Sequence, residues 1–192
     1  MNVLERSLQQ VKVFLEREHI PYMVIGGMAN LVWGKARLTQ DLDLSLLCKE
    51  ENIPAFIEKI NKKFKLLPAD PTSFLEQTRV LPALDRNGTP IDFIFARLPY
   101  EEMAIKRAKT IYFGKFGIKV CTAEDLIIHK IISERPIDVE DVRWVINCQW
   151  HCLDRDYLDP LIKELSHLME KPEIWQFYLD TLNEARKAGG VD

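Results

Sequence analysis

The sequence predicts a mixed α/β (α+β) fold over residues 1–120 and an all-helical part over residues 121–192. Three observations favour this division. Apolar residues recur at helical spacing over residues 3–17, which indicates an amphipathic first helix. Leucines alternate with polar residues over residues 38–47, which is typical of a half-buried strand. Beyond residue 121 only helical patterns follow.

The predicted elements up to residue 64 alternate between helix and strand. An apolar strand over residues 22–25 ends at two glycines, and Gly34 closes a short helix over residues 28–33. The strand over residues 38–47 and a helix over residues 53–64 follow.

Residues 65–96 have a β-like pattern, in which strands at 78–84 and 91–95 flank an Asn87-Gly88 turn. A helix over residues 100–109 precedes a short hairpin with strands at 111–113 and 118–121. Thr122 and Asp125 have the spacing of a helix-capping box. The predicted C-terminal helices cover residues 122–132, 136–149, 156–169 and 172–187.

Composition excludes several classes of protein. With 192 residues, of which 47% are apolar and 29% charged, the chain has material for a core, which excludes disorder as the main state. A net charge of −3 disfavours a general nucleic-acid coat. No apolar run reaches the length of a membrane span and no secretion signal is visible. With only four cysteines, we expect a cytoplasmic protein with reduced thiols and no membrane contact.

A strand that ends in Gly26-Gly27 runs directly into a helix. Glycine has no Cβ, so the backbone allows close approach of a ligand. The free amides at a helix start favour an anion. We therefore expect a phosphate at this turn.

Three aspartates have the setting of metal ligands. Asp41 and Asp43 are two apart in a strand pattern, so their carboxylates share a face. Asp92 interrupts an otherwise apolar strand and needs a partner there. If the two strands are neighbours, three carboxylates converge, as in a phosphoryl-transfer site for Mg²⁺ or Mn²⁺. Alone, each feature is more often a turn, a solvated strand face or an edge residue, but the combination favours catalysis.

The pattern Gly26-Gly27, Arg37-x-Thr39-x-Asp41-x-Asp43 and a later Asp92 resembles the nucleotidyltransferase superfamily that includes DNA polymerase beta. It is most similar to the minimal members, among them the AbiEii-type toxins. The resemblance covers residues 20–96 and extends into the helical segment 122–141. It implies a mixed β-sheet flanked by helices.

The resemblance also implies a mechanism. Asp41, Asp43 and Asp92 would bind two magnesium ions, with Asp92 as a ligand and as a base. The glycine pair, Gly26 and Gly27, would cradle the phosphates of a nucleoside triphosphate, such as ATP.

Three further side chains receive roles from the resemblance. Arg37 and Thr39 would contact phosphate, and Lys130 would neutralise charge as pyrophosphate leaves.

The acceptor is open at this stage. An RNA end, such as that of a tRNA, and a hydroxyl of a partner protein come first, and small molecules such as antibiotics come third. The resemblance implies a toxin–antitoxin role with a cognate partner. The alternative function is a catalytically silent nucleotide- or protein-binding module. A metal-dependent phosphohydrolase is disfavoured because the expected histidine-rich clusters are missing from the sequence.

Three further sequence patterns each have a functional and a structural interpretation. Residues 106–120 contain five basic residues, no acid and three aromatic residues, a composition suited to an RNA acceptor. We favour the plainer interpretation, a hairpin with aromatics in the core and lysines in water. Asp138 and Asp141 form either a polar cluster with Lys130 and Arg135 over the active site or an ordinary acidic helix start. Cys148, His151 and Cys152 lack a fourth zinc ligand, so zinc is disfavoured.

Overall fold

A computed structural model describes residues 3–133 and 135–189 of the chain. Residues 1, 2, 134 and 190–192, which include the outer ends of the predicted segments 1–120 and 121–192, lie outside the described residues. The elements are, in chain order, α1 (Val3–Arg17), β1 (Tyr22–Val24), α2 (Gly26–Trp33), β2 (Leu42–Leu46), a short 3-10 helix (Glu50–Asn52), α3 (Ile53–Lys63), β3 (Lys65–Leu66), α4 (Pro71–Thr78), β4 (Val80–Leu84), β5 (Pro90–Phe95), α5 (Pro99–Arg107), β6 (Lys109–Phe113), β7 (Phe116–Val120), α6 (Ala123–Ile131), α7 (Pro136–Gln149), α8 (Arg155–Leu168) and α9 (Pro172–Gly189).

Contacts divide the chain into two compact units. The sheet unit comprises the residues up to Met28 together with Leu38–Cys121, and the helical unit comprises Ala29–Arg37 with the residues from Thr122 onward. The predicted fold class, a mixed sheet flanked by helices and a helical C-terminal part, is confirmed.

The described residues of the sheet unit form a seven-stranded sheet in the order β3-β4-β5-β2-β1-β7-β6. Strand β2 runs parallel to β5, and β1 runs parallel to β7. In the β2–β5 register Leu44 lies opposite Phe93 and Asp43 lies opposite Asp92. Because side chains alternate along a strand, the leucines of β2 lie on one face of the sheet and the two aspartates on the other.

The apolar face of the sheet carries the core of this unit. Leu44 is fully buried. The ring of Phe93 lies 5.5 Å from that of Phe64, and Phe14 of α1 lies 5.8 Å from Phe56 of α3. Helices α1 and α3 therefore supply aromatic rings to the face on which the leucines of β2 lie.

The helical unit is held by buried polar contacts as well as by apolar packing. Tyr178 of α9 is fully buried and donates a hydrogen bond of 2.5 Å to Asp159 of α8. Thr122 caps α6 by accepting a hydrogen bond from the Asp125 amide, as the capping pattern predicted. No helix in the described part of the chain is long and apolar enough to cross a membrane.

The structure corrects one expectation for residues 65–96, which are not all β-like. Helix α4 forms there because Asp70 Oδ1 accepts a hydrogen bond from the Ser73 amide and Pro71 occupies the first turn. The helix ends at Arg79, which has a left-handed conformation with φ 63°. This local capping overrides the β-like composition around it.

A second correction concerns the β6–β7 hairpin. The hairpin is confirmed, but its aromatic side chains do not lie in the core. Tyr112 is 74% exposed, and Phe113 and Phe116 are only partly buried. The lysines Lys115 and Lys119 are exposed, as expected.

We expect Leu44→Ala to lower the free energy of unfolding by about 2–5 kcal/mol, because it leaves a cavity in the core. Leu38→Ala is the matched control, because Leu38 is 82% exposed, and its effect should stay within about 0.5 kcal/mol. Urea unfolding of both variants measures the difference. Equal effects would show that the β2 leucines do not carry the core.

Candidate active site

The three aspartates singled out in the sequence lie together in the sheet unit. Asp43 and Asp92 face each other on the neighbouring parallel strands β2 and β5. Asp41 lies one residue before β2 begins. Adjacent strands are about 4.8 Å apart, so the two opposed carboxylates project side by side. The strands that carry Asp43 and Asp92 are therefore neighbours, as predicted.

The carboxylates influence one another electrostatically. Burial raises the pKa of Asp92, and the negative charge of Asp41 raises it further. Thr39 donates a hydrogen bond of 2.8 Å from Oγ1 to Asp41 Oδ1. Thr39 therefore orients the Asp41 carboxylate, a contact that the sequence did not predict.

The two glycines lie directly against this group. Gly26 has φ +61°, and a Cβ on it would overlap the Asp43 carboxylate. A Cβ on Gly27 would overlap the Thr39 hydroxyl. The amide of Ile25 donates a hydrogen bond of 2.9 Å to the Asp43 carbonyl. The turn into α2 needs glycine because the conformation is left-handed and the carboxylate is already there.

The donor set fits a hard divalent cation. Carboxylate oxygens are the ligands that Mg²⁺ and Mn²⁺ prefer. Among residues 3–133 and 135–189, no group of three carboxylate, imidazole or thiolate side chains closes around a common point. Mg²⁺ in phosphoryl-transfer sites is held by one or two carboxylates together with substrate phosphates and water, so an open set of carboxylates fits it.

Lys130 lies in a second polar cluster, within the helical unit. Its Nζ lies 2.7 Å from Asp138 Oδ1 and 2.6 Å from Asp141 Oδ2, and the residue is only 4% exposed. The polar-cluster interpretation of Asp138 and Asp141 is thereby confirmed. Both carboxylates come from α7 and lie three residues apart, on one face of the helix.

Arg37 joins this cluster through Asp141. Its Nε lies 3.2 Å and its Nη2 3.0 Å from Asp141 Oδ2, a two-point contact. Asn30 Nδ2 donates to Asp141 Oδ1 at 3.0 Å. Arg37 and Lys130, two of the predicted phosphate contacts, are thus held by the same carboxylate.

Asp138 is the second carboxylate of the cluster. It accepts hydrogen bonds of 2.6 Å from Ser133 Oγ and Arg135 Nε as well as the bond from Lys130. Burial alone raises the pKa of Asp138, but these three hydrogen bonds outweigh it and hold the pKa below its usual range.

Sequence reasoning missed Asn30 and Thr39 as partners of the acids. Asn30 lies in an apolar helix, and a buried polar residue in such a helix was the available signal.

At the other end of α7, Cys148 and Cys152 are exposed free thiols. No metal-holding group was found in the described part of the chain, which includes both cysteines and His151.

The chain was compared with known proteins. A family model described as nucleotidyl transferase AbiEii toxin, type IV toxin–antitoxin system, matches residues 14–168, well over half of the chain. The chain belongs to the AbiEii nucleotidyl transferase toxin family. The match spans all three aspartates, both glycines and the cluster around Lys130. A search of curated proteins gave no match.

Solved structures similar to this AbiEii chain are nucleotidyltransferases of low sequence identity. The lincosamide antibiotic adenylyltransferase LnuA, bound to lincomycin, is 14% identical with a TM-score of 0.53, covering 76% of this chain and 98% of that one. ANT(2")-Ia in complex with adenylyl-2"-tobramycin is 13% identical with a TM-score of 0.53, covering 76% and 88%. At these identities the likeness establishes the fold that this AbiEii chain shares with them.

We expect Gly26→Ala to cost the AbiEii chain more stability than Gly88→Ala. Both glycines have positive φ, of 61° and 79°, so each alanine incurs about 1–2 kcal/mol of backbone strain. Only the Gly26 variant must also displace the Asp43 side chain, because nothing lies within 4 Å of a Cβ on Gly88. Urea unfolding compares the two, and equal losses would contradict the close approach of Gly26 to Asp43.

The low pKa of Asp138 predicts a pH-dependent contribution to stability. A carboxylate with a depressed pKa in the folded state stabilises the fold above its unfolded pKa of about 4 and loses that contribution as the pH falls. We therefore expect wild type to be more stable than Asp138→Asn at pH 6, with the difference shrinking below about pH 4. Urea unfolding across this range tests it. Asp85, whose pKa is also lowered, leaves both proteins with a shared acid sensitivity.

Proposed function

We propose that this chain transfers a nucleoside monophosphate from a nucleoside triphosphate to an acceptor hydroxyl, with Mg²⁺ or Mn²⁺ as the metal. Nucleotidyl transfer is the reaction class of its family. The observation that carries the proposal is the β2–β5 register, which sets Asp43 beside Asp92 on the polar face of the sheet.

Asp41, Asp43 and Asp92 are the residues that would hold the metal. A divalent ion bound there supplies electrostatic stabilisation of the charge that develops on the triphosphate during transfer. The chain's own part is to keep the carboxylates in place: Thr39 fixes Asp41 by a hydrogen bond, and the pairing of β2 with β5 fixes the other two.

Asp92 is the group we assign to the proton. The acceptor oxygen forms a bond to the α-phosphorus, the bond from that phosphorus to the pyrophosphate oxygen breaks, and the hydroxyl proton passes to the Asp92 carboxylate. A raised pKa makes a carboxylate a better proton acceptor, and both burial and Asp41 raise the pKa of Asp92.

Gly26 and Gly27 are the proposed phosphate contacts. They are the first two residues of α2, where backbone amides have no partner within the helix. Neither glycine puts a side chain between its amide and a ligand. Phosphate oxygens therefore approach the backbone beside the carboxylates, which fits the close contact of Gly26 with Asp43.

Arg37 and Lys130 keep their proposed link to phosphate, and we assign them different parts. The Arg37 side chain contacts Asp141 and is 31% exposed, so we assign it the phosphate contact. The Lys130 side chain is 5% exposed and is bound by two carboxylates. We therefore assign Lys130 the positioning of Asp141, and through it of Arg37, as pyrophosphate leaves.

An RNA end, such as that of a tRNA, or a hydroxyl of a partner protein is the proposed acceptor. Small molecules rank third, although LnuA and ANT(2")-Ia are described with antibiotics. The family description as a type IV toxin–antitoxin system favours a cognate antitoxin as a further partner.

A silent binding module is the second candidate. The observation in its favour is that no three metal-capable side chains close around one point among the described residues. In that case the chain would bind nucleotide and release it unchanged.

We expect Asp41→Ala combined with Asp43→Ala to lower the transfer rate by about 1,000-fold or more, because the change removes groups that stabilise charge. The fold should be retained, because the site faces solvent. The assay incubates the full chain with each α-labelled nucleoside triphosphate and Mg²⁺, with total RNA or lysate protein as acceptor. The exposed Asp156 supplies the matched control Asp156→Asn, which should transfer like wild type.

Label on RNA or protein that depends on the two aspartates identifies both nucleotide and acceptor. Normal transfer by the double variant, or its unfolding in circular dichroism, would refute the site assignment. Nucleotide binding by wild type without any labelled product would favour the silent module.

A further inference from the structure

The β6–β7 hairpin presents a flat aromatic surface to solvent. Tyr112 of β6 lies opposite Gly117 of β7 in the antiparallel register. A Cβ on Gly117 would lie 2.7 Å from Thr110 Cγ2, 3.3 Å from Tyr112 Cε1 and 3.5 Å from Tyr112 Cζ, so the Tyr112 ring and the Thr110 methyl group both lie against the glycine. The Tyr112 side of the hairpin is nevertheless open, since this residue is 74% exposed. The Tyr112 ring thus contacts the hairpin at Gly117 and leaves most of its surface available for stacking.

Two lysines of the same hairpin accompany this ring. Residues 106–120 contain five basic residues and no acidic one, in a chain whose net charge is −3. Lys119 lies on the same side of the hairpin as Tyr112, and Lys115 lies in the turn between the strands. Both lysines are exposed, whereas Lys106 of the same stretch lies 3.7 Å from Glu102.

The hairpin surface lies on the same face of the sheet as the aspartates. The registers Leu44↔Val24 and Val24↔Val120 put the β2 leucines and the even-numbered residues of β7 on one face. Asp43, Gly117 and their cross-strand partners therefore lie on the opposite face. Strands β1 and β7 separate β2 from β6, a distance of about 14 Å across the sheet.

We propose that Tyr112, Lys115 and Lys119 form a docking surface for single-stranded RNA, with one base stacked on Tyr112 and phosphates beside the lysines. This inference rests on the proposed function, because it supplies the acceptor of that reaction. An aromatic ring with an open face, flanked by cations, matches the base and phosphate chemistry of an unpaired strand. A protein partner of acidic character would match the lysines but would leave the flat ring unexplained.

Fluorescence anisotropy with a labelled single-stranded RNA of about ten nucleotides tests the surface directly. The full chain is used without nucleotide or metal. We expect Tyr112→Leu, which keeps an apolar side chain over Gly117, to weaken binding by about tenfold, and Tyr112→Phe to bind like wild type. Circular dichroism checks that each variant is folded.

Lys115→Gln combined with Lys119→Gln should lower the slope of log affinity against log salt by about 1.4, or about 0.7 for each lost phosphate contact. The control removes the same charge from Lys62 and the exposed Lys65, which lies on the opposite edge strand of the sheet, and should leave the slope unchanged.

Several results would overturn the docking surface. They are equal RNA affinity of Tyr112→Leu and wild type, and displacement of RNA by polyglutamate of equal charge. Two outcomes separate this docking surface from the proposed reaction. RNA binding without transfer by wild type rejects the reaction alone, and transfer by Tyr112→Leu at unchanged RNA affinity rejects the docking surface alone.

Discussion

The register of β2 against β5 is the constraint on which the candidate site depends. It sets two carboxylates side by side, an arrangement that like-charge repulsion opposes. Packing on the opposite face of the same strands fixes this register, because Leu44 packs beside Phe93 and both are fully buried. A slip of one residue would turn the leucines to the polar face and the aspartates into the core. The hydrophobic core thus keeps Asp43 and Asp92 together.

In the helical unit, buried carboxylate charge is compensated by basic side chains of the protein itself. Asp141 is buried, and its charge is compensated within the protein by Lys130 and Arg37. A buried ion pair adds little net stability over an apolar core, but removing one partner leaves an uncompensated charge. Such a network therefore fixes geometry more than it adds free energy. The opposed carboxylates Asp43 and Asp92 lie in the sheet, and the carboxylates that bind Lys130 lie on α7.

The sequence predicted features that depend on neighbouring residues better than contacts between residues far apart in the chain. The alternation around Asp43 and the helical spacing of Asp138 and Asp141 are local patterns, so both could be recognised from the chain alone. Helix α4 was missed although its cap, Asp70, is local, because the β-like residues around it dominated the pattern. The contact of Asn30 with Asp141 joins residues 111 positions apart and has no local signature.

The two edge strands show why Tyr112 calls for a ligand more than for a protective role. An exposed sheet edge invites pairing with another chain, and proteins prevent it with short strands or with charges. Strand β3 is two residues long, so its shortness protects that edge. At the other edge, β6 has five residues and begins with a charged residue, Lys109. Tyr112 does neither, because it lies over Gly117 on the face of the sheet rather than along the edge. An aromatic ring can support a strand glycine, but that support does not account for the 74% exposure of Tyr112. The lysines beside it make a stacked nucleobase, with its phosphates, the occupant that accounts for both features.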